Sequence, residues 1–224
     1  MSTRKHGQSL ILAMAVVCAI MLGTVSPSAA LSPVWGYSYE QLAAQWWKWA
    51  VSIPWYVNPV YDETGEYCAV GQHGDVWFLA GSWGYTVTRD CSVPQGMPLF
   101  FPVINNMAYD SPGVCDQGAS MTVQYMRDWN AGLLGLATNL KAELDGKPLR
   151  MQFEQSVVFA VDFVDGNEDC PAGIYSPAVD AGYYVFLSPL TPGKHILHIH
   201  GEFPIWDWLL DVTYNLTIVP VKLK

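Results

Sequence analysis

Apolar residues between positions 38 and 53 recur with the period of a helix. Leu42, Trp46, Trp49 and Ile53 fall on one face, and Trp47 and Val51 lie beside it. Ser38 and Gln41 have the spacing of a capping box, and Pro54 ends the segment near Ser52 or Ile53. The pattern predicts a helix whose tryptophan stripe packs into a core. A turn-rich loop follows, and then the period shortens. Residues 76–80 read as a buried strand, 81–84 as a turn, and 85–88 as the returning partner strand. Residues 98–104 read as a strand that lies at an edge or carries a bulge, because Pro102 has no N–H for the ladder.

A second helix is predicted over 120–137, with Met126, Trp129, Leu133 and Leu136 on one face and Gly132 and Gly135 weakening it. The period then drops to two. Leu140, Ala142 and Leu144 alternate with polar residues, Asp145-Gly146 is a type I′ turn signal, and 147–151 returns as a hairpin. The C-terminal third is β throughout, in runs near 157–163, 183–187, 194–200 and 212–218. The last run alternates most cleanly, Val212, Tyr214, Leu216 and Ile218 against Thr213, Asn215 and Thr217, which is one buried and one wet face. Many short strands between turns predict a mainly β fold. It is a β-sandwich or jelly-roll-like single domain with two peripheral helices, stabilised by disulfides. No internal repeat or low-complexity linker interrupts it.

Residues 1–30 stand outside this pattern. Arg4 and Lys5 precede an apolar run over 10–23, and Ser28-Ala29-Ala30 supplies small residues for cleavage. These are the three parts of a secretory signal peptide, and the run is shorter than the ~20 residues of a membrane span. The boundaries expected are therefore 1–30 signal peptide and 31–224 a single β-rich domain, with no stable membrane insertion after cleavage. Export changes the reading of the cysteines. With Cys18 removed, Cys68, Cys91, Cys115 and Cys170 remain, and an even count in an exported chain reads as disulfides. Of the three pairings, Cys68–Cys91 with Cys115–Cys170 is favoured, since the first pair flanks one short β-like unit. The net charge is −9, and the part after residue 30 holds nine basic and twenty acidic side chains, a net of −11. Such a chain repels nucleic-acid phosphates, so no nucleic-acid partner is expected.

Further signals are specific as a fingerprint. They are Trp46-Trp47-Lys48-Trp49-Ala50, Ser52-Ile53-Pro54, Asn58-Pro59, Asp62-Glu63-Thr64-Gly65, Cys68-Ala69-Val70-Gly71-Gln72 and Val76-Trp77-Phe78-Leu79-Ala80-Gly81. With Cys91-Ser92-Val93-Pro94 and Leu99-Phe100-Phe101-Pro102, the chain resembles a family of exported bacterial proteins across residues 35–105. The resemblance implies a bacterial origin and a periplasmic or secreted location. It brings no activity with it.

Candidate chemistry falls into three groups. In Lys194-His195-Ile196-Leu197-His198-Ile199-His200, residues two apart face the same way, so His198 and His200 share a strand face. Two such imidazoles, with His73 or a loop carboxylate as a third ligand, suit Zn²⁺ or Cu²⁺. The carboxylates over 162–169 (Asp162, Asp165, Glu168, Asp169) flank a Gly-Asn turn and suit Ca²⁺, although a solvated loop explains them as well. Ala80-Gly81-Ser82-Trp83-Gly84 approaches a nucleophile elbow, but a strand follows it where a helix should. The third group is aromatic. Trp55, Tyr56, Trp83, Trp206 and Trp208 lie in loops or near Pro and Gly, where stacking surfaces are presented. The functional reading is a non-catalytic binding or structural role with a carbohydrate-like or other neutral small ligand, requiring no cofactor. The alternative is a metal-binding protein or metal-dependent enzyme centred on His195, His198 and His200.

Overall fold

The Ser38 hydroxyl accepts from the Gln41 amide at 3.3 Å, and the Gln41 side chain accepts from the Ser38 amide at 2.9 Å. Both halves of the capping box therefore start α1 (Tyr39–Val51), which ends at Ser52, one step before Ile53. The computed structural model describes residues 35–167 and 170–220. The region 1–30 and the acidic residues Glu168 and Asp169 lie outside it, so the signal-peptide reading and half of the calcium reading fall on residues not described.

Among the described residues ten strands and a second helix follow α1. They are β1 (Trp77–Phe78), β2 (Thr86–Pro94), β3 (Leu99–Tyr109), α2 (Val123–Leu134), β4 (Thr138–Leu144) and β5 (Lys147–Pro148), then β6 (Gln152–Gln155), β7 (Phe159–Phe163), β8 (Gly173–Leu187), β9 (Gly193–Phe203) and β10 (Trp208–Val219). They form two sheets. The first runs β1-β3-β8-β6 with β7 also on β8; the second runs β2-β10-β9-β4-β5. The β1–β3 and β2–β10 pairs are parallel and the others antiparallel.

Burial explains the layering. Trp77, Leu79, Leu99, Phe101 and Val103 pack against Val93, Leu197, Ile199, Val212 and Leu216 of the second sheet. On the other face of the first sheet, Phe78, Phe100 and Tyr184 pack against Leu42, Trp46 and Trp49 of α1. The first sheet is thus covered on both faces, which is why Leu99 to Ile104 is an unbroken buried run rather than an alternating one. The fold is mainly β and sandwich-like, as its sequence pattern predicts. Pro102 sits at a register shift in the β3–β8 ladder, the bulge its missing N–H calls for. Asp145 and Gly146 both have positive φ, 52° and 73°, as a type I′ turn requires. The disulfides are Cys68–Cys91 and Cys115–Cys170, with Cα atoms 5.8 and 5.4 Å apart. Such bridges fit an extracellular or periplasmic protein. Among the described residues no helix is long and apolar enough to cross a membrane.

Two expectations fail. Residues 85–88 do not return against 76–80. The segment 81–84 carries the chain from one sheet to the other, and β2 pairs in parallel with β10. Its own alternation, Val87, Arg89, Cys91 and Val93 inward, commits it to the second sheet. The second correction is the buried face of α2. Met126, Asn130 and Leu134 are buried, whereas Trp129 is 59% and Leu136 44% exposed. Asn130 decides this. Its amide donates to the Val179 carbonyl at 3.1 Å and accepts from Asn106 at 2.8 Å, so the helix docks on β3 and β8 through an amide pair. The strand segments are also narrower than predicted at two places, since β5 stops at Pro148 and Val157 and Val158 are exposed outside β7.

Candidate functional site

The three tryptophans of α1 each satisfy their indole N–H inside the protein. Trp46 donates to the Leu79 carbonyl at 2.9 Å and Trp49 to the Val70 carbonyl at 3.1 Å. Trp47 donates to Asp180 Oδ2 at 2.6 Å. The stripe is core, as predicted, but one flank of it also forms a wall. Trp46 and Trp47, whose rings meet edge to face at 5.1 Å, line a groove of about 670 Å³ including its open mouth.

The opposite wall comes from the crossover and the start of β10. Trp83 and Trp208 line the groove there, with Tyr61 from the loop after α1. Trp83 is 53% exposed, and its ring is tilted 50° to that of Tyr61 at 6.1 Å. Trp208 is held by Gly84. With φ of +92°, Gly84 adopts a conformation that L side chains rarely take, and a Cβ there would collide with the Trp208 indole. Asn58, Asn105 and Asn167 supply the amides of the lining. Asn58 is spent on the fold: its Nδ2 donates to the Ala50 and Ile53 carbonyls at 2.7 and 2.8 Å, and its Oδ1 accepts from the Val60 amide. Asn105 Nδ2 donates to the Tyr184 hydroxyl at 3.2 Å. Among the described residues no charged side chain lines this groove.

Beneath the groove lie two buried charges that the sequence reading did not single out. Asp180 is 1% exposed on β8. Its Oδ1 accepts from Tyr184 and its Oδ2 from Trp47, each at 2.6 Å. Burial pushes its carboxyl up to about 7, against the opposing pull of those two bonds. Arg89, also 1% exposed, donates to the carbonyls of Asp62, Ala80, Gly81 and Val60 and to the Tyr214 hydroxyl. Val60 and Gly81 line the groove, so Arg89 ties its floor to β10. Both residues had a signal. Asp180 interrupts the apolar run Ala178-Val179-Asp180-Ala181, and Arg89 occupies an inward position between Val87 and Cys91. Asn105 and Tyr61 carry no such mark.

The predicted aromatic residues separate. Trp83 and Trp208 meet at the groove. Trp55 and Tyr56 stand outside its lining, 48% and 59% exposed, with their rings edge to face at 6.0 Å. Trp206 is exposed in the turn before β10. It shares Phe203 with Trp208, each ring lying 5.5 Å from that of Phe203.

The histidines occupy the wet face of the second sheet and its turn end. His198 Nε2 lies 2.5 Å from Asp211 Oδ1, and His200 Nε2 lies 2.8 Å from Glu202 Oε1, with His200 Nδ1 3.6 Å from Asp211. His195 is bound to Asp145 at 2.8 Å and to the Thr191 carbonyl at 2.9 Å. The Asp145 bond, then the Thr191 carbonyl, raise its imidazole above the ordinary value. His73 is in the loop between α1 and β1, bonded at Nδ1 to the Gly71 carbonyl at 2.7 Å. Among the described residues no group of three or more His, Cys, Asp or Glu is arranged to hold a metal ion. Asp162 and Asp165 are exposed. The Ser82 hydroxyl donates to the Tyr85 carbonyl at 2.6 Å and accepts from the Tyr85 amide, which makes it a turn-former rather than a nucleophile paired with an imidazole. No known protein family, curated protein or solved structure matches the chain.

Proposed function

We propose that this is an exported bacterial protein, led out by a signal peptide over 1–30, that binds a neutral, ring-shaped small ligand without transforming it. A carbohydrate is the first candidate. One observation carries the reading: in a chain of net charge −9, the aromatic groove is lined by no charged side chain among the described residues. Charged ligands gain no ion pair there. A pyranose offers an apolar ring face to Trp83, Trp208 and Tyr61 and hydroxyls to the amides. Glycoside hydrolysis calls for two carboxylates flanking the bond, and among the described residues the lining offers none. Trp55, Tyr56 and Trp206 are proposed as outer contacts for a longer chain.

The test is retention on immobilised polysaccharides and titration with soluble oligosaccharides. The Trp83→Ala and Trp208→Ala variants should each weaken binding by roughly 10-fold or more, given about 1–3 kcal/mol for one buried aromatic contact. Absence of retention on every glycan, or retention untouched in both variants, overturns the proposal.

A second reading rests on the wet sheet face. Asp211 Oδ1 lies within 3.6 Å of both imidazoles, so His198, His200 and Asp211 are the groups Zn²⁺ or Cu²⁺ would recruit, with the side chains rearranged from the positions described above. Stoichiometric metal in protein purified without chelator, lost in the His198→Ala/His200→Ala double variant, would favour it.

A further inference from the structure

The groove and the buried carboxyl are joined by a chain of hydrogen bonds. Trp47 Nε1 donates to Asp180, Tyr184 donates to Asp180, and Asn105 Nδ2 donates to the Tyr184 hydroxyl. The chain begins and ends at residues that line the groove, Trp47 and Asn105. It is held tightly. Asn105 lies opposite Gly182 in the β3–β8 ladder, and a Cβ at Gly182 would come within 2.6 Å of Asn105 Cβ and 2.8 Å of the Tyr184 ring. Only glycine there lets the amide approach the phenol.

Every donor in the chain points toward Asp180, which suits a carboxylate. When Asp180 carries a proton the chain cannot keep that direction. Trp47 has only a donor to offer, so Oδ2 still accepts from it. The added proton therefore sits on Oδ1 and is donated to the Tyr184 oxygen. Tyr184 keeps its own proton but turns it toward Asn105, whose amide flips to accept it through Oδ1. One proton enters from solvent, and no other covalent bond changes.

We propose that Asp180 is a proton-operated selector for the groove, reached through Tyr184: it decides whether Asn105 presents a carbonyl oxygen or an N–H to a bound ligand. The proposal rests on the reading of the groove as a binding site. With Asp180 charged, Asn105 Nδ2 is engaged inward and Oδ1 is the atom left for the ligand, so the site accepts from a hydroxyl or N–H. With Asp180 neutral, the amide N–H is left and the site donates to a carbonyl or ring oxygen. A hydroxyl satisfies both states. A ligand whose facing atom can only accept is favoured on the acid side.

The surroundings leave this switch to one proton. The charged residues on the packed elements are Glu40 and Lys48 of α1, Arg127 and Asp128 of α2, Glu154 of β6 and Asp162 of β7, with Tyr39 on α1, Tyr125 on α2, Tyr109 on β3 and Tyr175 and Tyr183 on β8 as further titratable groups. None of these bonds to the Asp180 carboxyl. Arg127, the nearest cation by connection, donates to the Ser156 carbonyl and to Gln155. Burial places the Asp180 transition near pH 7.

The experiment needs no ligand. The Asn105 side-chain amide is followed by ¹H–¹⁵N NMR from pH 5 to 9, assigned by its loss in Asn105→Ala. In the native protein its two resonances should shift through one transition near pH 7. Asp180→Asn, which fixes the donor toward Tyr184, should hold the low-pH pattern throughout. Tyr184→Phe removes the connecting hydroxyl, so the amide transition should vanish while the Trp47 indole resonance still titrates. An Asn105 amide indifferent to pH, or a transition that survives in either variant, overturns the proposal. Should Asp180→Asn fail to fold, Tyr184→Phe decides alone. The outcome is independent of glycan retention, so the selector and the binding reading can fail separately.

Discussion

Arg89 takes a positive charge into the interior with no carboxylate bonded to it. Its donors meet the carbonyls of Val60, Asp62, Ala80 and Gly81 and the Tyr214 hydroxyl instead, and its guanidinium lies 5.6 Å from the Tyr214 ring centre. A planar fork can serve that many acceptors, whereas an ammonium cannot. Arg89→Lys should therefore strand buried carbonyls and lower stability by about 2–4 kcal/mol in urea unfolding, at ~1–3 kcal/mol for each unmet group. A loss below ~0.5 kcal/mol would mean that water replaces the fork without penalty. Asp180 is the opposite case, and its effect depends on pH. Its folded value, about 7, lies above the ordinary 3.8, so the folded state holds a proton that the unfolded chain has released. Its contribution is complete below the ordinary value and is lost as pH rises to the folded one, at up to about 1.4 kcal/mol per pH unit. Asp180→Asn should therefore gain stability relative to the native protein from pH 4 to 7 and stay level above that. A flat difference across this window refutes the assignment. His195 acts with the same sign in a later window. Its raised imidazole contributes fully below the ordinary 6.5 and loses that contribution as pH rises beyond it, and His195→Asn should remove that part of the decline.

Elements show where a hydrophobic pattern suffices. In α1 the capping box, the Trp46 and Trp49 stripe and the stop before Pro54 are all local, and local chemistry is what a sequence displays. Ser38→Ala should accordingly lower stability by about 1 kcal/mol. In α2 the apolar stripe misleads because Asn130 has two partners waiting, Asn106 on β3 and the Val179 carbonyl on β8, and neither is visible along the helix. The energetic ordering follows from burial rather than side-chain size. Met126, fully buried, should lose about 2–5 kcal/mol when replaced by Ala, whereas exposed Trp129→Ala should stay within about 0.5 kcal/mol. Equal losses at the two positions would restore the face predicted from periodicity. The same limit governs the site. Trp83 and Trp208 announce themselves as loop aromatics, but Tyr61 and Asn105 reach the groove only because β3 and the loop after α1 end up side by side. Residues 81–84 carry turn formers either way, so nothing in them distinguishes a hairpin from a crossover between sheets. That choice is made by β10, far along the chain, which offers β2 a parallel edge.

At the scale of the molecule, the disulfides divide the work between stability and site. Cys68–Cys91 fastens the loop after α1 to β2, at a sequence separation of 23, and that loop carries Asn58, Val60 and Tyr61 into the groove. Cys115–Cys170 joins the loop after β3 to the connection between β7 and β8 across 55 residues, and neither cysteine lines the groove. Loop-closure entropy ranks the longer bridge as the stronger, at about 4 kcal/mol against about 3 kcal/mol for the shorter. Stability and binding should therefore part company. Removing Cys115–Cys170 by paired Ser substitution should cost more in urea unfolding and weaken a retained glycan less, since Asn167 alone of the lining lies on the connection it ties, under conditions where the protein stays folded. Removing Cys68–Cys91 should cost less stability yet weaken the glycan, because Tyr61 loses the anchor that sets its 6.1 Å distance from Trp83. Equal loss of affinity in both variants would show that the groove depends on global rigidity rather than on this one tether. The Tyr61–Trp83 wall would then not be its defining part.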